Sequence, residues 1–147
     1  LQNEIPPESN AEAIRCATSA GARVVYNAAP ARDVDRSLTR ACAYLVVNEE
    51  EAAHFLGRRV DDVAGMAVGS ILATPDGVTP IPAHPVRAVD TTGAGDSLVA
   101  AFTAALNDGS GEVGAARIAS RIAAMATRAV GAQTSMPRSE DVQADPV

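Results

Sequence analysis

The stretch VDTTGAGDSLVAAF, residues 89–102, joins a glycine-containing loop to an apolar, alanine-rich helix. Gly93 and Gly95 lack a Cβ, so the backbone there can approach a bound group closely. The first amides of the following helix have no intrahelical acceptor, and together with the helix dipole they favour an anion. The acidic side chain of Asp96 lies in this same first turn.

Two interpretations of this loop stay open on spacing alone. Asp96 is a favourable helix-start charge worth about 0.3–1 kcal/mol, with no chemistry. Alternatively, the amides stabilise a transferring phosphoryl group while Asp96 accepts a proton from the attacking hydroxyl. The loop has no Gly-Lys-Ser/Thr, so it is not a Walker A loop, and it lacks the third glycine of a dinucleotide fingerprint.

The amino-acid composition excludes several classes of partner and mechanism for this chain. The chain has 147 residues, enough for one domain with a core, and a net charge of -6, which argues against nucleic acid or anionic membrane as a partner. All 12 basic residues are arginine, which excludes a lysine Schiff base or P-loop lysine within this chain. No apolar run reaches the roughly 20 residues of a membrane span. We expect Cys16 and Cys42 to be buried reduced thiols, and no zinc-ligand spacing is visible.

The order of apolar segments predicts an α/β fold. Short apolar strands at 23–27 and 43–47 alternate with helices at about 6–20, 33–41 and 48–56, which favours parallel strands covered on both faces. A Pro-Asp-Gly turn at 75–77 predicts a β-hairpin. Two helices follow, the second from 112 to about 130 with Ile118, Ile122 and Met125 as its packing residues. The polar tail from 138 is expected to fray.

Five segments resemble the ribokinase (PfkB) family of carbohydrate kinases, in the order that family has them. The longest is DTTGAGDSLVAAFTAAL at 90–106. The others are LQNEIP at 1–6, YNAAPAR at 26–32, VVNEEEAAHFLG at 46–57 and GAQTSMPRSEDV at 131–142. The resemblance implies a ribokinase-like three-layer α/β/α fold with a mostly parallel sheet. Residues 1–147 would form a single partial domain, the nucleotide-binding and catalytic C-terminal part.

The resemblance also implies an activity and its residues. Asp96 would deprotonate the 5-hydroxyl of ribose, which attacks the γ-phosphate of ATP. Gly93, Ala94 and Gly95 would form the anion hole, and Glu4 would contact the sugar. The protein would be cytoplasmic, with a sugar and ATP as its partners.

Asn48 and Glu51 match the Asn-x-x-Glu motif of the family. The resemblance implies that Asn48 helps to bind nucleotide phosphate and that Glu51 holds Mg²⁺ through water. An asparagine before a helix with glutamate at the third helical position is equally a capping box. Both interpretations stay open.

A monovalent-cation site is implied around Asp90, which could instead be an Asx-type loop brace. The resemblance also places Ser120 near the adenine of ATP. The residues implied for the cation, K⁺, are Asp90, Thr92, Ala126, Ala129, Gly131 and Ser135.

The sequence departs from the family in two places. The N-terminal sugar-binding half and its β-lid, through which family members form homodimers, are not in the chain. Only AGMAV, residues 64–68, stands where the family has a further helix and strand. The chain therefore reads as a fragment that begins near a strand end. Two alternatives remain: a family kinase acting on fructose or adenosine, and a truncated remnant without catalysis.

Overall fold

A computed structural model describes residues 1–57, 69–74 and 77–144 of the chain. The chain divides into two compact units, Leu1–Ala64 and Gly65–Val147. The single partial domain expected from the sequence stays a prediction. Residues 64–68, where the family has additional elements, lie outside the described ranges.

The first unit alternates helices and strands, as the apolar pattern predicts. Its elements, in chain order, are α1 (Pro7–Ser19), β1 (Val25–Asn27), α2 (Arg36–Ala41), β2 (Tyr44–Val46) and α3 (Glu49–Leu56). β1 and β2 are parallel, with Tyr26 opposite Leu45, which confirms the predicted parallel pairing. Gln2 forms a further parallel bridge to Asn27 on the other side of β1.

The core of the first unit lies between α1 and β1. Ile14, Val24, Tyr26 and Ala28 are buried, and side chains of the α2 and α3 regions, including Leu38 and Phe55, pack against them. Burying each large apolar side chain contributes about 1.5–3 kcal/mol. The expectation that both faces of each strand are covered is wrong for β2, because Leu45 is 42% exposed.

In the described residues of the second unit, a hairpin is followed by three helices. Its elements are β3 (Gly69–Thr74), β4 (Gly77–Pro82), α4 (Ala94–Asn107), α5 (Gly111–Ala126) and α6 (Ser139–Ala144). β3 and β4 pair antiparallel from Gly69↔Pro82 to Thr74↔Gly77, which confirms the hairpin. The first two residues of its predicted Pro-Asp-Gly turn lie outside the described ranges.

The buried face of α5 is formed mainly by alanines, together with Met125, whose predicted packing role is confirmed. Ala115, Ala119 and Ala123 are buried at a spacing of four residues, so they form one stripe along α5. The predicted packing role of Ile118 is wrong, since that side chain is 39% exposed. α5 also ends at Ala126, four residues before the predicted end.

The two cysteines and the C-terminal tail differ from what the sequence predicts. Cys16 is exposed on α1 because it lies on the helix face away from the buried Ile14, so a buried thiol is wrong there. Cys42 is half-buried, and both thiols are free. The tail does not simply fray: α6 begins where Asp141 accepts a hydrogen bond from the Arg138 amide at 2.7 Å. Among the described helices, none is long and apolar enough to cross a bilayer.

Candidate active site

The start of α4 keeps amide groups available for a ligand. The helix follows Gly93, whose φ of 80° lies in the left-handed region and which supplies no side-chain cap. The Ala94 amide donates to the Thr91 carbonyl at 3.2 Å, and the Ser97 amide donates to the Gly93 carbonyl at 2.9 Å. Between them, the amides of Gly95 and Asp96 meet no acceptor within residues 77–144. These two amides are therefore free to bind an anion. Of the three residues expected to form the anion hole, Ala94 is a correction, because its amide is already bonded to Thr91, whereas the Gly95 amide remains available.

The carboxylate of Asp96 lies beside these amides. It occupies the third position of α4, is exposed, and has no hydrogen-bond or ion-pair partner in the described part of the second unit. The next residue, Ser97, is only 4% exposed, and its hydroxyl has no partner there either. An unpaired carboxylate at a helix start is the arrangement that a general base beside an anion hole requires.

Gly93 is required where the loop contacts the turn after α5. A Cβ at this position would lie 3.3 Å from both the Cα and the carbonyl oxygen of Ala132, and 3.5 Å from Cε of Met136. The glycine loop before α4 is thus packed against residues 131–136, and its position depends on that turn.

Asp90 braces the same two segments. Its Oδ1 accepts hydrogen bonds from the Thr92 amide at 2.9 Å and the Thr92 hydroxyl at 2.7 Å. Its Oδ2 accepts one from the Gly131 amide at 3.0 Å. The Gly131 amide, followed by the Thr92 amide and hydroxyl, lowers the pKa of Asp90 from 3.8 to about 2. The Asx-type brace is therefore confirmed.

Further contacts complete the junction between the loop and the end of α5. The carbonyl of Thr127 accepts the amides of Val89 at 2.7 Å and Asp90 at 3.1 Å. The Ser135 hydroxyl donates to the carbonyls of Gly131 and Ala132, the second at 3.0 Å. Four of the six predicted cation ligands lie in one hydrogen-bonded network: Asp90, Thr92, Gly131 and Ser135. The other two are Ala126, the last residue of α5, and Ala129, in the turn that follows.

The donor set at this junction fits a monovalent cation through oxygen atoms. Oδ1 of Asp90 already accepts two hydrogen bonds, whereas Oδ2 accepts one and retains acceptor capacity. Neighbouring backbone carbonyls can supply the remaining oxygens, as they do in potassium sites. Within the described ranges, no group of three or more His, Cys, Asp or Glu side chains is placed to hold a metal ion.

In the first unit, Glu4 and Asn48 each follow the carboxyl end of a parallel segment that pairs with β1, one on either side of that strand. Glu4 comes two residues after the Gln2 bridge to β1, and Asn48 comes two residues after β2. The Glu4 side chain is exposed, and its Oε2 accepts a hydrogen bond from Nε2 of Gln2 at 2.9 Å. The carboxyl edge of a parallel sheet is where α/β proteins bind ligands.

Asn48 and Glu51 form a complete capping box at the start of α3. Oδ1 of Asn48 accepts the Glu51 amide at 2.8 Å, and Oε2 of Glu51 accepts the Asn48 amide at 2.7 Å. Oε1 of Glu51 accepts the Asn48 side-chain amide at 3.1 Å, and Glu51 is 5% exposed. The capping interpretation is confirmed. Each carboxylate oxygen retains one acceptor site, so the pair also fits a role towards a magnesium-bound water.

Ser120 lies on α5 and contacts the hairpin. Its hydroxyl donates to the Pro82 carbonyl at the end of β4 at 3.2 Å. This contact gives Ser120 a structural role, and its expected approach to adenine stays a prediction.

The described geometry agrees with a match between residues 1–139 and the pfkB family of carbohydrate kinases. This chain belongs to the pfkB family. It is 33% identical over 154 residues to the ribokinase of Bacillus subtilis, an alignment that covers 97% of this chain and 53% of the relative. The chain thus spans about half the length of the curated relatives it matches.

Solved structures show the same fold. The Thermotoga maritima ribokinase is 30% identical with a TM-score of 0.84, covering 98% of this chain and 54% of that one. An Arabidopsis thaliana ribokinase solved with ribose and ATP has a TM-score of 0.91 at 24% identity, with 98% of this chain and 54% of that one covered. The expected ribokinase-like α/β fold, incomplete in this chain, is confirmed.

The pfkB-family motifs fall into two groups, one in each unit. Glu4, Asn48 and Glu51 belong to the first, and all the loop and cation residues belong to the second. Sequence reasoning missed two residues that support these groups, Gln2 and Thr127. Gln2 lies two positions before Glu4, a spacing that could have suggested their contact, whereas Thr127 acts through its carbonyl and left no sequence signal.

Proposed function

We propose that this chain is the nucleotide-binding and catalytic part of an ATP-dependent sugar kinase that phosphorylates the 5-hydroxyl of D-ribose. The observation that carries the proposal is the pair of unbonded amides at Gly95 and Asp96, adjacent to the unpaired Asp96 carboxylate. One helix start thereby supplies both donors for a phosphate and an acceptor for a proton.

The amides act on the transferring group. The bond between the γ-phosphorus and its bridging oxygen breaks as the sugar oxygen bonds to phosphorus, and ADP leaves with the electron pair. Charge on the γ-phosphoryl oxygens is stabilised by the Gly95 and Asp96 amides and by the dipole of α4. Phosphoryl transfer depends mostly on such positioning and charge stabilisation.

Asp96 acts on the sugar. Its carboxylate accepts the proton of the 5-hydroxyl as that oxygen bonds to phosphorus, and later releases the proton to solvent. Since the carboxylate has no partner among residues 77–144, no hydrogen bond to that part of the chain has to break first. Gly93 and Ala94 place the carboxylate by fixing where the helix begins.

Magnesium, when bound with ATP, neutralises phosphate charge. Glu51 would hold it through water, and Asn48 would orient Glu51 and contact phosphate. A monovalent cation would take oxygens from the Asp90 and Gly131 network, with Ala126 and Ala129 supplying carbonyls at the end of α5. Ser120 would lie towards the adenine.

Ribose is favoured as substrate by the 33% identical ribokinase and by Glu4 at the carboxyl edge of the strands. A cytoplasmic location and a homodimer in the full-length protein complete the proposal. Fructose and adenosine are the alternative acceptors.

The test is phosphorylation of ribose by the longest natural polypeptide that contains residues 1–147, with ATP and Mg²⁺. Asp96→Asn keeps the shape of the side chain but removes the base, so kcat should fall by about a thousandfold. The matched control is Asp108→Asn, the same change at the opposite end of α4.

Each failure has its own signature. If Asp96→Asn turned over as fast as the Asp108→Asn control, the base would be misassigned. If the unmodified protein phosphorylated fructose or adenosine but not ribose, only the acceptor would change. If it phosphorylated none of the three, the kinase proposal would be wrong.

A further inference from the structure

The turn that carries Glu4 is tied to β1 by a buried asparagine. Asn3 is 4% exposed. Its Nδ2 donates to the carbonyls of Ala28 at 3.0 Å and Pro30 at 2.9 Å, and its backbone amide donates to the Ala29 carbonyl at 2.9 Å. One residue therefore links this turn to three successive carbonyls beyond the end of β1.

Tyr26 completes this set of contacts from within β1. Its side chain is 1% exposed, and its hydroxyl donates to Oδ1 of Asn3. Burial raises the pKa of Tyr26, so the hydroxyl remains a donor at neutral pH. Every polar atom of the Asn3 side chain is consequently paired, as a buried amide requires.

The residues on either side of Asn3 are held as well. The Gln2 carbonyl accepts Nδ2 of Asn10 on α1 at 2.8 Å. The Gln2 side chain donates to the Glu4 carboxylate at 2.9 Å. Glu4 is exposed, yet the backbone that precedes it is fixed by buried contacts. The backbone that carries Glu4 is therefore already ordered before a ligand binds, which lowers the entropic cost of binding.

We propose that Asn3 and Tyr26 are positioning residues, whose buried hydrogen bond holds the Glu4 carboxylate where it can bind the hydroxyl groups of a sugar. This inference rests on the proposed function, and it adds two residues that do not touch the substrate. It predicts that loosening the contact weakens sugar binding specifically. Within the described ranges, the residues proposed for nucleotide binding and for the chemical step form no hydrogen bond with Asn3 or Tyr26, so the ATP KM and kcat should not change.

The chain offers a matched pair of substitutions, because its only two tyrosines are Tyr26 and Tyr44. Tyr26→Phe removes the donor to Asn3. Tyr44→Phe removes the same atom from β2, where the hydroxyl lies 3.5 Å from Nη1 of Arg23 at the surface. Asn3→Asp is a second test, since it retains the acceptor for Tyr26 but loses both donors to the Ala28 and Pro30 carbonyls.

Two measurements are needed on the longest natural polypeptide that contains these residues. Hydrogen exchange of the Asn3 amide, followed by NMR, reports whether the turn has loosened. Steady-state kinetics report KM for ribose, KM for ATP and kcat. For Tyr26→Phe and Asn3→Asp we expect the exchange rate of the Asn3 amide and the KM for ribose each to rise by about tenfold. The values of kcat and of the KM for ATP should stay within about twofold of wild type. Tyr44→Phe should match wild type in all four.

The outcomes separate this inference from the proposed function. The wild type could be active, and the two variants could exchange the Asn3 amide faster while keeping the wild-type KM for ribose. That result would overturn the positioning role alone. Unchanged exchange in both variants would show that the contact does not hold the turn, and would also overturn it. A proportional fall in kcat and rise in both KM values would indicate a merely structural role. A wild type that phosphorylates no sugar would overturn the proposed function, and the sugar role of these residues with it.

Discussion

Oδ2 of Asp90 accepts a hydrogen bond from the backbone amide of Gly131 at 3.0 Å, joining residues 41 positions apart. This bond connects the loop before α4 to the turn after α5. Gly93 packs against Ala132 in the same turn, so the glycine loop and the turn form one junction. The placement of the candidate catalytic amides therefore depends on the C-terminal end of α5.

Acid should weaken this junction. The folded pKa of Asp90, about 2, lies below its usual value of 3.8, because the Gly131 and Thr92 donors favour the carboxylate. Its contribution to stability is therefore complete above the unfolded pKa and disappears as the pH falls through the folded one. The gap between the urea midpoints of wild type and Asp90→Asn should shrink as the solution is taken from about pH 5 to about pH 2. A gap that stays constant over that interval would contradict this.

Alanine at Gly93 should be destabilising. The left-handed backbone costs an L-residue about 1–2 kcal/mol, and the new methyl group would also press on Ala132. We expect Gly93→Ala to lower the free energy of unfolding by at least that amount in a denaturant titration.

The control for this prediction is Gly95→Ala, on the first turn of the same helix. A Cβ at Gly95 meets no atom within 4 Å, and the backbone there is helical. Its free energy of unfolding should be unchanged or rise by up to about 1 kcal/mol. Equal losses in the two variants would show that Gly93 is not under the constraint described.

Glutamine at Glu51 should separate the capping role from the magnesium role. A carboxamide oxygen can still accept the Asn48 amide, so the free energy of unfolding should fall by less than the roughly 0.5–2 kcal/mol expected for Asn48→Ala. Loss of the negative charge should raise the Mg²⁺ concentration for half-maximal phosphorylation by about tenfold. Glu50→Gln, an exposed neighbour on α3, is the control. If Glu51→Gln left the Mg²⁺ dependence unchanged, Glu51 would be a helix cap only.

The isolated 147-residue chain should bind a non-hydrolysable ATP analogue, because the unbonded amides belong to it. Isothermal titration calorimetry in the presence of Mg²⁺ measures this directly. Binding should weaken in Gly93→Ala, which displaces the loop, and persist in Asp108→Asn. No heat of binding from the folded wild-type chain would favour a non-catalytic remnant.

Much of the candidate site could be predicted because it is local. The Asn48–Glu51 capping box joins residues three apart, and the start of α4 follows from a glycine loop leading into an apolar helix. Likewise, short apolar strands alternating with helices predicted the parallel pairing of β1 and β2. Contacts of this kind depend on nearby residues, whose identities can be read directly from the chain.

The errors arose where burial depends on distant neighbours. Ile118 was expected to pack and is 39% exposed, whereas the alanines at 115, 119 and 123 of the same helix are buried. Cys16 was expected to be buried, but it faces away from the core that Ile14 enters. Hydrophobicity alone does not state which face of a helix meets a neighbour when alanines lie on all sides.

The amino-acid sequence by itself determined the glycine loop, the acid in the first turn of α4 and the cap of α3, because each is formed by residues within one turn of one another. Only the tertiary structure decided that Asp90 bonds to Gly131 and that the Thr127 carbonyl accepts hydrogen bonds from the amides of the loop. The same is true of the contact between Asn3 and Tyr26 that holds the turn carrying Glu4. These partners are far apart in the chain, and they meet because packing of helices and strands brings their backbones within hydrogen-bonding distance.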